Sequence, residues 1–194
     1  VNLEAEQLGL ERQHDVTGPH NVLGIEINEC AAELARVTVW IGELQWRIQR
    51  GYGFKTRPVL EPLAHIECRD AVLGANGREA VWPQVDAVVG NPPFIGNKRM
   101  RDALGDGYAQ ALRAAWPEVP ESADFVMYWW AHGAALVGAG HARRMGLITT
   151  NSLTMIFNRR VVEAGLAGTG LGTAGSLILA SLTKSAAHGT QPGA

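Results

Sequence analysis

The chain has 194 residues with a hydrophobic content of 46%, which suits one domain with a sizeable core. Its formal net charge of −2 excludes a global attraction to polyanions, so any nucleic-acid contact must be a local basic patch. No apolar run approaches the ~18 residues of a membrane span, and the first residues lack a signal-peptide pattern. We therefore expect a cytoplasmic protein without membrane contact.

The first elements in chain order are a helix and a short strand. Leucines among charged residues favour a helix over residues 1–14, which Thr17-Gly18-Pro19 ends. The apolar run over residues 22–27 predicts a strand. Asn28 closes that strand and can cap the helix that follows it, because asparagine is a favoured N-cap residue.

The helix after Asn28 has the clearest pattern in the chain. Gly51 is placed to end it. Its apolar side chains recur at spacings of three and four, as one face of an amphipathic helix requires: Leu34, Val37, Ile41, Leu44 and Ile48.

Strands and helices alternate through the rest of the chain. Residues 65–70 and 145–149 read as strands, and residues 123–137 as a helix. Residues 85–89 carry only one charge, which suits a strand covered on both faces. This alternation predicts an α/β fold with a doubly wound, mostly parallel sheet.

Some side chains are assigned to the core. Cys30 and Cys68 form no CxxC pair, so we expect free, buried thiols in a reducing compartment and no metal site. Tyr128, Trp129 and Trp130 are consecutive and cannot all face one way on a helix, so core packing is their expected role.

Acidic residues end the first two strands, where ligands bind in doubly wound folds. Glu26 can accept both hydroxyls of a ribose, or it can be a solvated charge at a strand end. Asp70 can accept a hydrogen bond from an adenine amine, and the same surface-charge alternative applies to it.

The third strand ends in Asn91-Pro92-Pro93-Phe94. This tetrapeptide after an apolar strand resembles the catalytic motif of amino-methyltransferases that use S-adenosylmethionine, above all the adenine-specific DNA methyltransferases. The Asn91 side-chain oxygen and the Pro92 carbonyl can each accept a hydrogen bond from one N–H group of an exocyclic amine. This geometry aims the lone pair of the nitrogen at the methyl group of the cofactor. Two prolines stiffen the corner, and Phe94 can stack on a flipped-out base.

The resemblance covers residues 20–160 and extends to the methyltransferase domain of large bacterial restriction-modification fusion enzymes and phage-defence methylases. Its further segments are "GIEINECAAELARVTVWIGELQW", "IECRDAVL", "ADFVMYWW" and "RRMGLITTNSL". It implies a class I, Rossmann-like fold and S-adenosylmethionine as cofactor. Glu26 with Ile27 takes the ribose role, Asp70 with Ala71 the cofactor-adenine role, and Asn91 contacts both cofactor and amine.

The loop after the corner is basic. Lys98, Arg99 and Arg101 lie beside the expected base pocket and suit phosphate contacts, although a solvated helix start would look the same. The expected partner is double-stranded DNA, with target-recognition and endonuclease domains outside this chain.

The sequence departs from the family at its beginning. Members with this motif order carry a strand and a glycine-rich cofactor loop upstream of the Glu26 strand, and residues 1–21 contain neither. The GxGxxG pattern over residues 170–175 follows no strand and is not expected to replace that loop. We therefore expect a partial catalytic domain over residues 1–160 and a divergent or disordered tail over residues 161–194. The chain alone is expected to bind S-adenosylmethionine weakly or not at all and to transfer no methyl group.

Three classes of function fit this sequence. The first is methyl transfer to N6 of adenine in DNA. The second is methylation of another planar amine, in a ribosomal RNA guanine or a release-factor glutamine, because the corner recognises N–H₂ groups in general. The third is an inactive domain that retains the catalytic corner without the cofactor loop.

Overall fold

A computed structural model describes residues 18–49 and 63–168 and the backbone of Ser176–Leu182. The chain divides into two units, Val1–Ala71 and Val72–Ala194. The helix expected over residues 1–14, the helix stop at Gly51 and the GxGxxG pattern all lie outside the described residues.

The first unit contains a strand–helix–strand motif. Strand β1 (Gly24–Glu26) leads into helix α1 (Glu29–Gln49), and strand β2 (Ile66–Cys68) then pairs with β1 in parallel. Both strands fall within the ranges that the sequence predicts and are shorter. In their register Gly24 lies opposite Ile66 and Glu26 opposite Cys68, so the carboxyl ends of the two strands share one edge.

Polar contacts cap the start of α1 and hold the helix against β2. The Asn28 side-chain oxygen accepts the backbone N–H of Ala31 at 3.0 Å, so the predicted N-cap of α1 is confirmed. The Arg36 guanidinium holds α1 against the start of β2, because it donates to the carbonyls of Ile66 at 2.5 Å and Leu63 at 3.3 Å.

The apolar stripe of α1 lies largely on the exposed side of the helix. Leu34 is 66% exposed and Ile48 is 57% exposed, whereas Ala32 is fully buried. Cys30 precedes Leu34 by one helical turn and is exposed with it. The 3.6-residue pattern therefore predicted the helix correctly and did not identify the face that its neighbours cover.

The second unit is a three-stranded parallel sheet with four helices among its described residues. Its sheet order is β3-β4-β5, and β4 is the central strand. Its elements in chain order are β3 (Ala87–Gly90), α2 (Asn97–Leu104), α3 (Asp106–Ala115), α4 (Val126–Gly138), β4 (Arg144–Thr150), α5 (Ile156–Gly168) and β5 (Ser176–Leu182).

Both units combine helices with parallel strands, so the α/β class is confirmed. The doubly wound order stays a prediction. The domain boundary expected after residue 160 lies inside α5, and β5 lies within the stretch expected to be a divergent tail. No helix in the described ranges is both long enough and apolar enough to span a membrane.

Strand β3 is not covered on both faces, contrary to the sequence prediction. Val89 is 83% exposed, while Val88 is half-buried and packs against the core. Successive strand side chains point to opposite faces, so one covered face buries only alternate residues. Among the described strands, only β4 pairs with β3.

The core of the second unit surrounds α4. Tyr128 and Trp130 are fully buried, and Trp129 packs partly buried against them, which confirms the core role of this aromatic run. The His132 ring stacks on Trp82 with centroids 4.2 Å apart and lies 5.1 Å from the Trp116 ring. Aromatic side chains from two other segments thus fix α4 in place.

The prediction that the two cysteines are buried is wrong. Cys30 and Cys68 are both free and both exposed. Cys68 ends β2, and its thiol approaches the Ile27 carbonyl at 3.7 Å. Cysteine is usually a buried residue, but these two occupy a helix stripe and a strand end that the described neighbours leave open.

Close packing of α4 on β4 requires glycine at position 133. A Cβ atom there would lie 2.1 Å from the Met145 sulfur and 3.3 Å from its Cγ. We expect Gly133→Ala to lower the free energy of unfolding by about 1–3 kcal/mol, the range for overpacking a core. Chemical denaturation measures this value directly.

Gly107 in α3 is the matched control. A Cβ atom at Gly107 would meet nothing within 4 Å, so Gly107→Ala should be neutral or stabilise by up to ~1 kcal/mol through helix propensity. Equal losses of stability in the two variants would contradict this account of the α4–β4 contact.

Candidate active site

The first unit brings its predicted cofactor residues together. Glu26 is the last residue of β1, and its carbonyl accepts the backbone N–H of Arg69 at 3.0 Å. This bond extends the parallel pairing beyond β2, so Asp70 and Ala71 leave the sheet at the same edge as Glu26 and Ile27. Carboxylates from both strand ends therefore lie at one edge, as the sequence predicts for a ligand-binding edge.

The Glu26 side chain is partly fixed. One carboxylate oxygen accepts the backbone N–H of Asn28 at 2.8 Å, and the side chain is half-buried. Because a carboxylate has about four acceptor positions, this single bond orients Glu26 and leaves capacity for two hydroxyl donors. Ile27 is 68% exposed beside it and offers apolar surface to a ligand.

The second unit carries the corner at the end of β3. Pro92 is buried, whereas Asn91 and Pro93 are exposed. The Phe94 ring is 44% exposed. The buried proline anchors the corner, and the two side chains assigned to substrate contact remain accessible.

The basic residues lie on one side of α2. Lys98, Arg99 and Arg101 are all exposed, whereas Met100 is fully buried. At about 100° per residue, the three cations project away from the direction that Met100 takes into the core. Arg101 lies 3.9 Å from the Asp106 carboxylate in an exposed pair, which contributes little.

A polar pair that the sequence did not single out contacts the start of α2, the helix that follows the corner. Asp124 accepts the backbone N–H of Asn97 at 3.0 Å and contacts Asn158 at 2.8 Å. Asp124 belongs to the "ADFVMYWW" segment, but nothing local indicates its partner, which lies 34 positions away.

The displaced pKa values belong to other parts of the second unit. Burial raises the pKa of Tyr128, and the Arg113 guanidinium opposes that change. Burial also raises the pKa of Glu79, with a further contribution from the nearby Glu118 charge. Across the described residues, no group of three or more histidine, cysteine or acidic side chains could hold a metal ion.

The predicted residues therefore form two sets. Glu26, Ile27, Asp70 and Ala71 lie in the first unit, and the corner with the α2 cations lies in the second. The first set lies at the carboxyl ends of β1 and β2, and the second set follows the carboxyl end of β3.

Comparison with known proteins identifies the family. The family model described as "MmeI, DNA-methyltransferase domain" matches residues 2–159. The chain is also 28% identical over 145 residues to DNA methyltransferase A of Bacillus subtilis (strain 168), an alignment covering 68% of this chain and 15% of that protein. No solved structure matches the chain. The chain belongs to the family of the MmeI DNA-methyltransferase domain.

Proposed function

We propose that this protein transfers a methyl group from S-adenosylmethionine to N6 of adenine in double-stranded DNA. The observation that carries the proposal is the corner over residues 91–94, with Pro92 buried and both Asn91 and Phe94 accessible at the end of β3. Family membership supports DNA methylation in general, and the corner supports an exocyclic amine as the acceptor.

The chemical task of the corner is to activate a poor nucleophile. The lone pair of an aromatic amine is delocalised into its ring, so the nitrogen must become pyramidal before it can attack. The Asn91 side-chain oxygen and the Pro92 carbonyl accept hydrogen bonds from the two N–H groups and favour that pyramidal geometry. Fixed acceptors need no reorganisation during reaction, so positioning and electrostatics supply the rate enhancement.

The first unit supplies residues that fit the cofactor. S-adenosylmethionine provides an electrophilic methyl group on a sulfonium centre. The Glu26 carboxylate, already oriented by Asn28, suits the ribose hydroxyls, and Asp70 at the same edge suits the adenine amine. Ile27 and Ala71 lie next to these two acceptors in the chain.

The DNA contacts follow from the same geometry. The target amine cannot be reached inside a stacked duplex, so the base must be flipped out, and the exposed Phe94 ring offers it a stacking surface. Lys98, Arg99 and Arg101 follow on α2 and suit the flanking phosphates. These contacts would be sequence-independent, so we propose that target recognition and any endonuclease lie outside this chain, in a cytoplasmic restriction-modification or phage-defence protein.

A transfer assay tests the proposed function. The full-length protein is incubated with S-adenosylmethionine labelled in its methyl group and with DNA, ribosomal RNA or protein in separate reactions. We expect label in double-stranded DNA only. Label in RNA guanine or in a protein glutamine would reassign the substrate, and no transfer to any acceptor would refute the enzymatic role.

Glu26→Ala tests the cofactor assignment. Loss of a charged acceptor for ribose hydroxyls should weaken cofactor binding by about 2–3 kcal/mol, and the effect should appear mainly in the cofactor's affinity. Calorimetry on the full-length protein measures the dissociation constant. Glu33→Ala is the control, because Glu33 is an exposed acid on α1 whose surface ion pair with Arg36 is expected to contribute little. An unchanged constant for Glu26→Ala would return Glu26 to the surface-charge interpretation.

A further inference from the structure

Asp124 and Asn158 form a reciprocal pair, which we name the Asp124–Asn158 clasp. Asn158 donates its side-chain N–H to an Asp124 carboxylate oxygen at 2.8 Å, and its side-chain oxygen accepts the Asp124 backbone N–H at 2.9 Å. Asn158 is only 2% exposed. A buried amide such as Asn158 is costly unless its hydrogen bonds are made, and Asp124 is half-buried beside it, so this pair holds a defined geometry.

The clasp connects four segments of the second unit. The same Asn158 amide donates to the Ser152 carbonyl at 2.9 Å, in the turn that follows β4. Next to Asp124, the Phe125 backbone N–H donates to the Ile95 carbonyl at 2.9 Å, one residue after the corner. The starts of α4 and α5 are thereby tied to the loops that follow β3 and β4.

The clasp also caps α2 from a distance. The N-cap residue of α2 is Gly96, which has no side chain to accept a helix N–H. Asp124 supplies that acceptor, because its second carboxylate oxygen binds the first N–H of the helix, at Asn97. A negative charge at a helix N-terminus is favourable. Asp124 therefore accepts an N–H that would otherwise lack a partner within the helix, and it orients the start of α2.

We propose that Asp124 and Asn158 are positioning residues that hold the loop after the corner and the basic helix α2 in a fixed arrangement. This inference rests on the proposed function. Neither residue touches the substrate, and both act through residues 95–97. The result is a fixed spacing between the Phe94 ring, on which the base stacks, and the α2 cations that contact phosphates.

Substitutions that keep side-chain shape and exchange amide for carboxylate test this role. In Asp124→Asn the new amide has one acceptor oxygen and cannot serve both Asn97 and Asn158, so one contact becomes donor against donor. In Asn158→Asp two carboxylates face each other. The double variant D124N/N158D restores the side-chain contact with donor and acceptor exchanged and keeps the contact to Asn97. A carboxylate oxygen then faces the Ser152 carbonyl in place of the amide donor.

Methyl transfer to DNA is measured in the full-length protein with these three variants. We expect each single variant to lower kcat/KM for DNA by about 10-fold or more, with cofactor affinity within twofold of wild type. The double variant should recover part of that loss, whereas two substitutions without a shared contact would add their losses. Asp102→Asn, an exposed carboxylate on α2, is the control and should remain at wild-type activity.

Amide hydrogen exchange gives a readout that does not depend on activity. In Asp124→Asn we expect the single oxygen to keep the contact to buried Asn158 and to release the half-buried N–H of Asn97. Exchange at Asn97 should therefore accelerate by about 10-fold or more, with the protection of α4 unchanged. Unchanged exchange at Asn97 would overturn the inference. So would an equal loss of protection throughout the second unit, which would mean general destabilisation.

The two proposals can fail separately. Wild-type protein without methyl transfer would refute the proposed function, and exchange at Asn97 would still decide whether the clasp holds α2. Active wild-type protein together with fully active Asp124→Asn would overturn the clasp's role and leave the proposed function standing.

Discussion

Replacing Asn91 with alanine is expected to lower turnover by about 100-fold or more, the scale of removing one oriented partner of a developing charge. The side chain lies exposed at the end of β3, so its loss leaves the packed corner at Pro92 intact. Most cofactor contacts are assigned to the ends of β1 and β2, so cofactor affinity should fall much less than turnover. Single-turnover kinetics on DNA, with calorimetry for the cofactor, separates the two effects.

Asn76→Ala is the control for this experiment. Asn76 is exposed in a turn of the second unit, where its side chain accepts only a local N–H from Arg78 at 3.0 Å. We expect turnover to stay at the wild-type rate in this variant. Wild-type turnover in Asn91→Ala would remove the basis for the amine-orienting role, and equal loss of turnover and cofactor binding would indicate misfolding.

Replacing Trp116 with alanine is expected to cost about 3–5 kcal/mol of stability, the range for removing a large buried aromatic side chain. Trp116 is 2% exposed, and its indole N–H donates to the Val72 carbonyl at 2.8 Å. Its ring also packs edge-on against Tyr128, with centroids 6.4 Å apart. Denaturant unfolding followed by circular dichroism measures the loss.

Two further variants separate the contributions of the Trp116 side chain. Trp116→Phe keeps an aromatic ring and removes the hydrogen bond, so it should cost about 1–3 kcal/mol. Phe157→Ala removes a ring that is 43% exposed and should cost less than about 1 kcal/mol. If all three variants unfold at the same denaturant concentration, the core of the second unit is not organised around Trp116.

The sequence predicts element types well because they depend on local patterns. The strands near Glu26, Asp70, Asn91 and residues 145–149 all form, and Asn28 caps α1 through a contact three residues away. Each of these features rests on side-chain periodicity or on a short-range hydrogen bond.

Burial was harder to predict because it depends on neighbours that are remote in sequence. The stripe containing Leu34 has the correct period for a covered face, yet the described neighbours leave it exposed. Val89 sits in an apolar run and is exposed for the same reason, since coverage of a strand depends on which elements pack on each face. The sequence around a residue does not indicate which remote elements will pack on it.

In the candidate site, too, local features could be predicted and contacts between remote residues could not. The corner at Asn91 is contiguous in sequence, so its chemistry can be inferred from four residues. The Asp124–Asn158 clasp could not be inferred, because its two halves are separated by 34 positions and each is a common polar residue. Only the fold reveals that they meet beside the corner loop.

Nucleoside analysis of methylated DNA tests the central claim most directly. DNA treated with the full-length protein and labelled S-adenosylmethionine is digested to nucleosides, which are separated and identified by mass spectrometry. We predict label in N6-methyldeoxyadenosine, and about 100-fold slower accumulation of that label when Asn91 is replaced by alanine. Label in a methylated cytosine, or equal label in N6-methyldeoxyadenosine with and without the Asn91 side chain, would contradict the account.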